Sequence, residues 1–298
     1  MKILLTGASG GLGSELLKNL IENENNPVRV LVHKSSVDLE NCEKVEGALS
    51  EPGSLEKATR GIDTVVHLAA LTRSSRKEDY FVVNAQGTRN LVNASRGNRV
   101  RRFIYVSSTA AHEHAGGYGI SKLEGEKWVQ RSGLQWLVLR ASEAYGYYAG
   151  REGVNQLIHW VKESKTVPVI GNGECRLCPI FIDDLIFVMT EAIFREDLSA
   201  RVFILAGPEP MTFNSLVDRL NYFFKVRSRK IHFSPALVQW GIAMMSFFKI
   251  GSLVSDQVPR LLCEKEQDIG AATKAFNFQP GKLEEGLRKM FPSGGVNL

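Results

Sequence analysis

Eight residues near the start, 6–13 (TGASGGLG), constrain the fold more than any other feature of the chain. They separate a short apolar run, 2–6 (KILLT), from a segment in which Leu12, Leu16, Leu17, Leu20 and Ile21 recur at helical spacing. Gly7, Gly10 and Gly13 stand three apart. A strand that turns sharply into a helix needs backbone conformations and close approaches that side chains forbid. The helix N-terminus beyond it offers amide donors and a positive dipole end to a pyrophosphate. The spacing therefore predicts a dinucleotide-binding strand–turn–helix, with Gly7, Ser9, Gly10, Gly11, Leu12 and Gly13 around the cofactor.

Further strands are expected at 28–32, 63–69, 102–106, 135–139 and 202–206, with helices at 80–96 and 118–131 between them. This alternation predicts right-handed crossovers and an α/β fold, a doubly wound parallel sheet of Rossmann type covered by helices on both faces. After about residue 150 the rhythm loosens and Gly/Pro punctuation increases. The expected division is a cofactor-binding domain over 1–150 plus about 180–206, and a smaller interleaved substrate lobe over 151–179 and 207–298. Asp183 and Asp184 precede an apolar run and are expected to cap a helix.

Charge and composition narrow the partners. Lys and Arg number 37 against 32 Asp and Glu, a net +5. The dense basic runs, 99–102 (RVRR) and 225–230 (KVRSRK), are not interleaved with stacking aromatics, so they read as solvated faces and no nucleic acid is expected. The stretch 236–248 (ALVQWGIAMMSFF) is strongly apolar but too short for a membrane span, which needs about 20 residues. It is expected to be a buried or partner-facing helix, an interfacial helix being the alternative. Four unevenly spaced cysteines make no disulfide framework, and free thiols fit a reducing, cytoplasmic location. With the first strand at Lys2, no secretory leader is expected. Cys175 and Cys178 lack a second pair, so no metal site is expected.

Two constellations carry chemistry. Tyr118 and Lys122 are four apart on a helix, which puts phenol and ammonium on one face. A phenol of pKa ~10 is a poor acid or base near neutrality, and a nearby cation makes proton transfer feasible. Ser107 and Ser108 end an apolar strand ten residues upstream, where a hydroxyl can hold a substrate oxygen. The end of the second strand lacks the carboxylate that usually holds a ribose 2′-hydroxyl. It carries His33, Lys34, Ser35 and Ser36, a set suited to a 2′-phosphate and hence to NADP(H) over NAD(H). His112 and His114, in a glycine-flanked loop, read as bystanders.

TGASGGLG, DTVVHLAA, the run 84–90 (NAQGTRN), RFIYVSS and YGISK, in this order, resemble the extended short-chain dehydrogenase/reductases. The subgroup they look like is that of the nucleotide-sugar epimerases, dehydratases and reductases. The likeness continues through Gly171–Gly173, Ile182–Asp184, 205–209 (LAGPE) and 278–287 (FQPGKLEEGL). It implies Ser108, Tyr118 and Lys122 as the catalytic set, with Leu49, Leu68, Ala69, Ala70 and Asn84 along the cofactor. Thr72, Ser108 and Arg176 are the implied substrate contacts, Arg176 toward a diphosphate. The reaction implied is hydride transfer at a keto or hydroxyl carbon of a nucleoside diphosphate sugar, a 4-keto reductase or dehydrogenase being favoured. A 4-epimerase with tightly bound NAD, a sterol-type dehydrogenase and a non-catalytic cofactor-bound subunit are the alternatives. Water elimination is not expected, because Thr109 and Ala110 stand where dehydratases of the group place acidic residues. A homodimer through helices 80–96 and 118–131 is also implied.

Overall fold

The computed structural model describes residues 1–22, 26–33, 41–147, 153–247 and 256–292, with backbone only for 243–247. Seven strands form one parallel sheet: β1 (Ile3–Thr6), β2 (Val28–Val32), β3 (Glu43–Glu46), β4 (Thr64–His67), β5 (Arg102–Ser108), β6 (Gln135–Ala141) and β7 (Arg201–Leu205). Their spatial order is β7-β6-β5-β4-β1-β2-β3. The chain runs outward from β1 to β3, then returns to the other side of β1 and continues to β7. Strand order thus reverses between β1 and β4, and the loops at their C-terminal ends flank the crevice where open α/β sheets bind ligands.

Alternation along each strand supplies two apolar faces. Ile3, Leu5, Ile104, Val106, Leu137 and Leu139 point to one side, against α1 (Gly11–Glu22). Leu4, Val65, Phe103, Tyr105 and Val138 point to the other. There they meet α2 (Pro52–Thr59), α4 (Gly87–Gly97) and α5 (Gly116–Gln130). A short α3 (Lys77–Tyr80) runs into α4 through a π-helical segment, Phe81–Gln86. A separate apolar cluster joins α6 (Gly153–Glu163), α8 (Phe213–Phe224) and α12 (Leu283–Met290). Between these in sequence lie α7 (Ile182–Phe194), α9 (Pro235–Phe247), α10 (Gln257–Leu262) and α11 (Gly270–Phe276). α7 and α11 complete the first face of the sheet.

Two expectations fail. Asp183 and Asp184 do not cap α7: they sit inside its first turn, Phe181 is the cap residue, and the Asp184 carboxylate accepts from Gly281 N at 3.0 Å. An acid in that turn still faces the positive end of the helix dipole. Arg102 is not on a solvated face but fully buried, its guanidinium donating to the carbonyls of Ala192, Arg195 and Leu198 where α7 ends. The Ala192 carbonyl, in the last turn of α7, lies at the negative end of the helix dipole, which suits a cation. The apolar stretch 236–248, expected to be a buried or partner-facing helix, lies in α9 as far as Phe247; Ile242 is buried, Leu237 and Trp240 are largely exposed, and Phe248 lies outside the described residues.

Candidate functional site

The glycine turn is built on contacts that a side chain would destroy. Gly7 has φ +80°, and a Cβ there would lie 2.6 Å from Ala69 N. A Cβ on Gly13 would lie 2.1 Å from the Gly7 carbonyl oxygen. The turn closes through Gly10 N donating to Gly7 O at 3.1 Å, and α1 opens at Gly11. Ser9 and Gly10 are exposed above it, and Leu12 is half-buried. The loop after β4 lies alongside: Leu68 N donates to Thr6 O at 3.2 Å and Ala69 N to Thr6 Oγ1 at 3.3 Å. Leu68, Ala69 and Ala70 are all half-buried there. The result is a narrow, bare-backbone cradle at the helix N-terminus, the geometry that accepts a pyrophosphate.

Beneath the cradle is a buried polar chain. The His67 ring is bonded through Nδ1 to Thr6 Oγ1 (2.7 Å) and through Nε2 to Thr88 Oγ1 (3.0 Å), and it stacks on Tyr105 at 5.4 Å. Burial, with Lys122 nearby, holds the His67 pKa down to about 3, so this imidazole is neutral. Lys122 Nζ lies 4.1 Å from the Tyr105 ring centre and donates to Val106 O at 2.8 Å. Its burial lowers its own pKa to about 7, against the opposing pull of Glu126.

Tyr118 stands one turn before Lys122, at the C-terminal end of β5. The Ser108 hydroxyl lies beside its phenol and accepts from Ala110 N at 3.1 Å. Ser108 and Ser107 are separated by the structure: Ser107 Oγ turns inward to Glu126 Oε1 at 2.6 Å, a carboxylate also held by Arg140. Only Ser108 faces Tyr118. The Tyr118 ring packs against Ala110, Ala115 and Cys263, with Tyr80 edge-on at 6.3 Å. Burial raises the phenol pKa, while the Arg260 guanidinium and the neighbouring Ser108 hydroxyl pull it down.

The sequence reading missed the segment around α10. Asp256 accepts from the backbone N–H of Gly117 and Tyr118, the latter at 3.1 Å, so it caps the first turn of α5 across 138 residues of chain. Arg260 places its guanidinium 4.7 Å over the Tyr118 ring and donates to Thr72 O at 3.3 Å. Lys265 makes a buried pair with Glu143 at 2.7 Å. No local motif announces these residues. An isolated Asp and Arg on a six-residue helix look like surface charge.

The remaining expected residues are placed as follows. Asn84 is buried in the π-helical segment, its amide bonded to Leu71 N (2.7 Å), Leu71 O (3.0 Å) and Ser121 Oγ (3.0 Å). It ties the loop after β4 to α5, in the kind of irregular helix that often marks functional sites. Leu49 is wedged against Gly87 of α4, where an added Cβ would lie 2.8 Å away. Thr72 and His33 are exposed. Arg176 is exposed on a two-residue strand, Arg176–Leu177, paired with Met211–Thr212, and no described contact joins it to Ser108 or Tyr118. Lys34 and Ser35 lie outside the described residues. Among the described residues no cluster of His, Cys, Asp or Glu is arranged to hold a metal, and no helix is long and apolar enough to cross a membrane.

A parallel sheet with a glycine cradle at its switch point, and a serine, a tyrosine and a lysine beside it, make the fold of the short-chain dehydrogenase/reductase type. The chain belongs to the NAD dependent epimerase/dehydratase family, whose model matches residues 3–206. It is 32% identical over 188 residues to a ceramide reductase of Caulobacter vibrioides, covering 61% of this chain and 57% of that one. It is 23% identical to a UDP-glucose 4-epimerase of Vibrio cholerae, covering 96% of this chain and 93% of that one. The solved structure of MoeE5 in complex with UDP-glucose and NAD superposes with a TM-score of 0.80 at 20% identity, covering 97% of both chains. The chain spans 57% of the length of that ceramide reductase and 50% of another curated relative.

Proposed function

We propose that the chain is an NADP(H)-using oxidoreductase that reduces a keto carbon of a nucleoside diphosphate sugar, or oxidises the corresponding alcohol. The observation that carries the chemistry is the placing of the Ser108 hydroxyl, at the end of β5, beside the Tyr118 phenol, with Lys122 one turn along α5. Gly7 and Gly13 form a turn that a methyl group would break, and Gly10 leaves its backbone bare, so the residues present fit a dinucleotide. When bound, the nicotinamide supplies or accepts the hydride. The chain's own groups do the rest: Ser108 holds the substrate oxygen, and Tyr118 Oη gives that oxygen a proton in reduction or takes one in oxidation. The Lys122 ammonium binds the cofactor ribose and shifts proton affinity toward transfer. Gly7 to Gly13 would line the pyrophosphate, Leu49 the adenine, and Leu68, Ala69 and Ala70 the cofactor's length. Asn84 holds that loop through Leu71, and Lys34 and Ser35 would be the partners of a 2′-phosphate. Thr72 and Arg176 are the proposed substrate contacts.

The sugar-nucleotide assignment is supported by the motifs between Gly171 and Leu287 and by the epimerase relative that matches almost the whole chain. A second reading has its own observation. An exposed apolar patch adjoins α10, and a relative is named a ceramide reductase, which favours a lipid-borne carbonyl. NADPH consumption against UDP-, GDP- and dTDP-linked 4-keto sugars, set beside long-chain keto lipids in detergent, decides between them. Turnover confined to the lipids overturns the sugar-nucleotide assignment and leaves the reductase chemistry in place.

A further inference from the structure

We infer that the face formed by the strand Arg229–Phe233, α9 and the exposed side of α10 docks on an anionic lipid surface. On the strand, Arg229, Ile231 and Phe233 share one face by alternation. Lys230 and His232 turn to the other, bonding Asp218 at 2.7 Å and Gly171 O at 3.0 Å. Ile231 and Phe233 are exposed, and on α9 Leu237 and Trp240, one turn apart, are 63% and 66% exposed. Leu262 of α10 is also exposed. These parts are contiguous. Gly171 N donates to Phe233 O at 2.8 Å, and a methyl built on Gly171 would lie 3.7 Å from Leu262 and 3.8 Å from Pro235.

Charge selects the occupant. Lys230 is neutralised by Asp218, but Lys225, Arg227 and Arg229 are exposed and take part in no described ion pair. A second copy of the chain is disfavoured, because a two-fold contact sets a patch against itself and would bring these like charges together. An anionic bilayer suits both halves of the patch. Protruding apolar side chains enter the headgroup boundary while cations meet the lipid phosphates. Thirteen residues of α9 cannot span a bilayer, so the contact is with its surface. The face also adjoins the candidate site, since α10 carries both Leu262 and the Arg260 that covers Tyr118.

The test is co-sedimentation of the full chain with phosphatidylcholine vesicles, with and without phosphatidylglycerol. The expected result is binding that requires phosphatidylglycerol and weakens with salt. At roughly fivefold per cation near an anionic surface, Arg227→Gln with Arg229→Gln should weaken it about 25-fold. Leu237→Ser with Trp240→Ser should abolish it. Both double variants should keep the wild-type thermal shift with NADPH, which shows that they are folded. Absence of vesicle binding, binding indifferent to these changes, or a concentration-dependent dimer that Leu237→Ser with Trp240→Ser dissolves would each overturn the inference. None of these outcomes bears on turnover of a soluble substrate, which tests the oxidoreductase reading separately.

Discussion

Replacing Arg260 with Met should shift the pH profile of alcohol oxidation upward. In that direction the Tyr118 phenolate must accept a proton, so kcat/KM rises with pH through the pKa of Tyr118. The Arg260 guanidinium sits 4.7 Å from the ring centre. At about 5 Å and an effective dielectric of ~20, a cation stabilises a phenolate by roughly 3 kcal/mol, or about 2 pKa units. Arg260 is half-exposed, and water screens part of this, so the expected upward move of the limb is ~1 unit. The other groups beside Tyr118 are Asp256, Tyr80, Tyr105, Ser108 and Cys263, with Lys122 one turn along α5, and all persist in the variant. Lys77, whose side chain packs at Gly117, persists as well. Initial rates across pH with saturating cofactor provide the assay, and Arg260→Lys should recover part of the shift. If Arg260→Met leaves the limb in place and only raises KM, Arg260 holds substrate and does not tune the phenol.

Other outcomes follow from the same geometry. Gly13→Ala should destabilise the protein by about 1–3 kcal/mol and abolish the thermal shift with NADPH, because its methyl would meet the Gly7 carbonyl at 2.1 Å. Wild type should bind NADPH more tightly than NADH, and Lys34→Ala should narrow that gap by ~1.5–3 kcal/mol, the worth of a charged hydrogen bond. Equal dissociation constants in wild type would remove the argument. Thermal stability should fall as pH drops from about 6.5 toward 3. His67 is buried neutral with a depressed pKa, so the unfolded chain takes up its proton first. His67→Gln should flatten that part of the melting curve against pH.

Much of the cofactor half was legible because its signals are local. The β1–α1 turn needs glycine for steric reasons, and β1, β2, β4, β5, β6 and β7 are apolar runs buried in a parallel sheet, each found within a few residues of its bounds. β3 (Glu43–Glu46, EKVE) was invisible. It is an edge strand with three charged residues, held by backbone pairing to β2 and by Glu43 accepting from Lys2 and Arg29. The helix expected over 118–131 begins two residues earlier because Asp256, distant in sequence, supplies its cap. Arg102 looked solvated because a run of basic residues says nothing about which carbonyls tertiary folding brings to it. The same limit hid Arg260. Ser107 and Ser108 could not be told apart until β5 set one toward Glu126 and the other toward Tyr118.

In the proposed reaction Tyr118 is the proton-transfer group of a hydride-transfer site. Tyr118→Phe removes that proton and keeps the ring, so its turnover is measured with a substrate that wild type reduces, alongside NADPH binding to the same variant. Folding and cofactor affinity should be unchanged and turnover lower by ~10²–10⁴-fold. A variant that binds NADPH normally and keeps half or more of wild-type turnover would contradict that role.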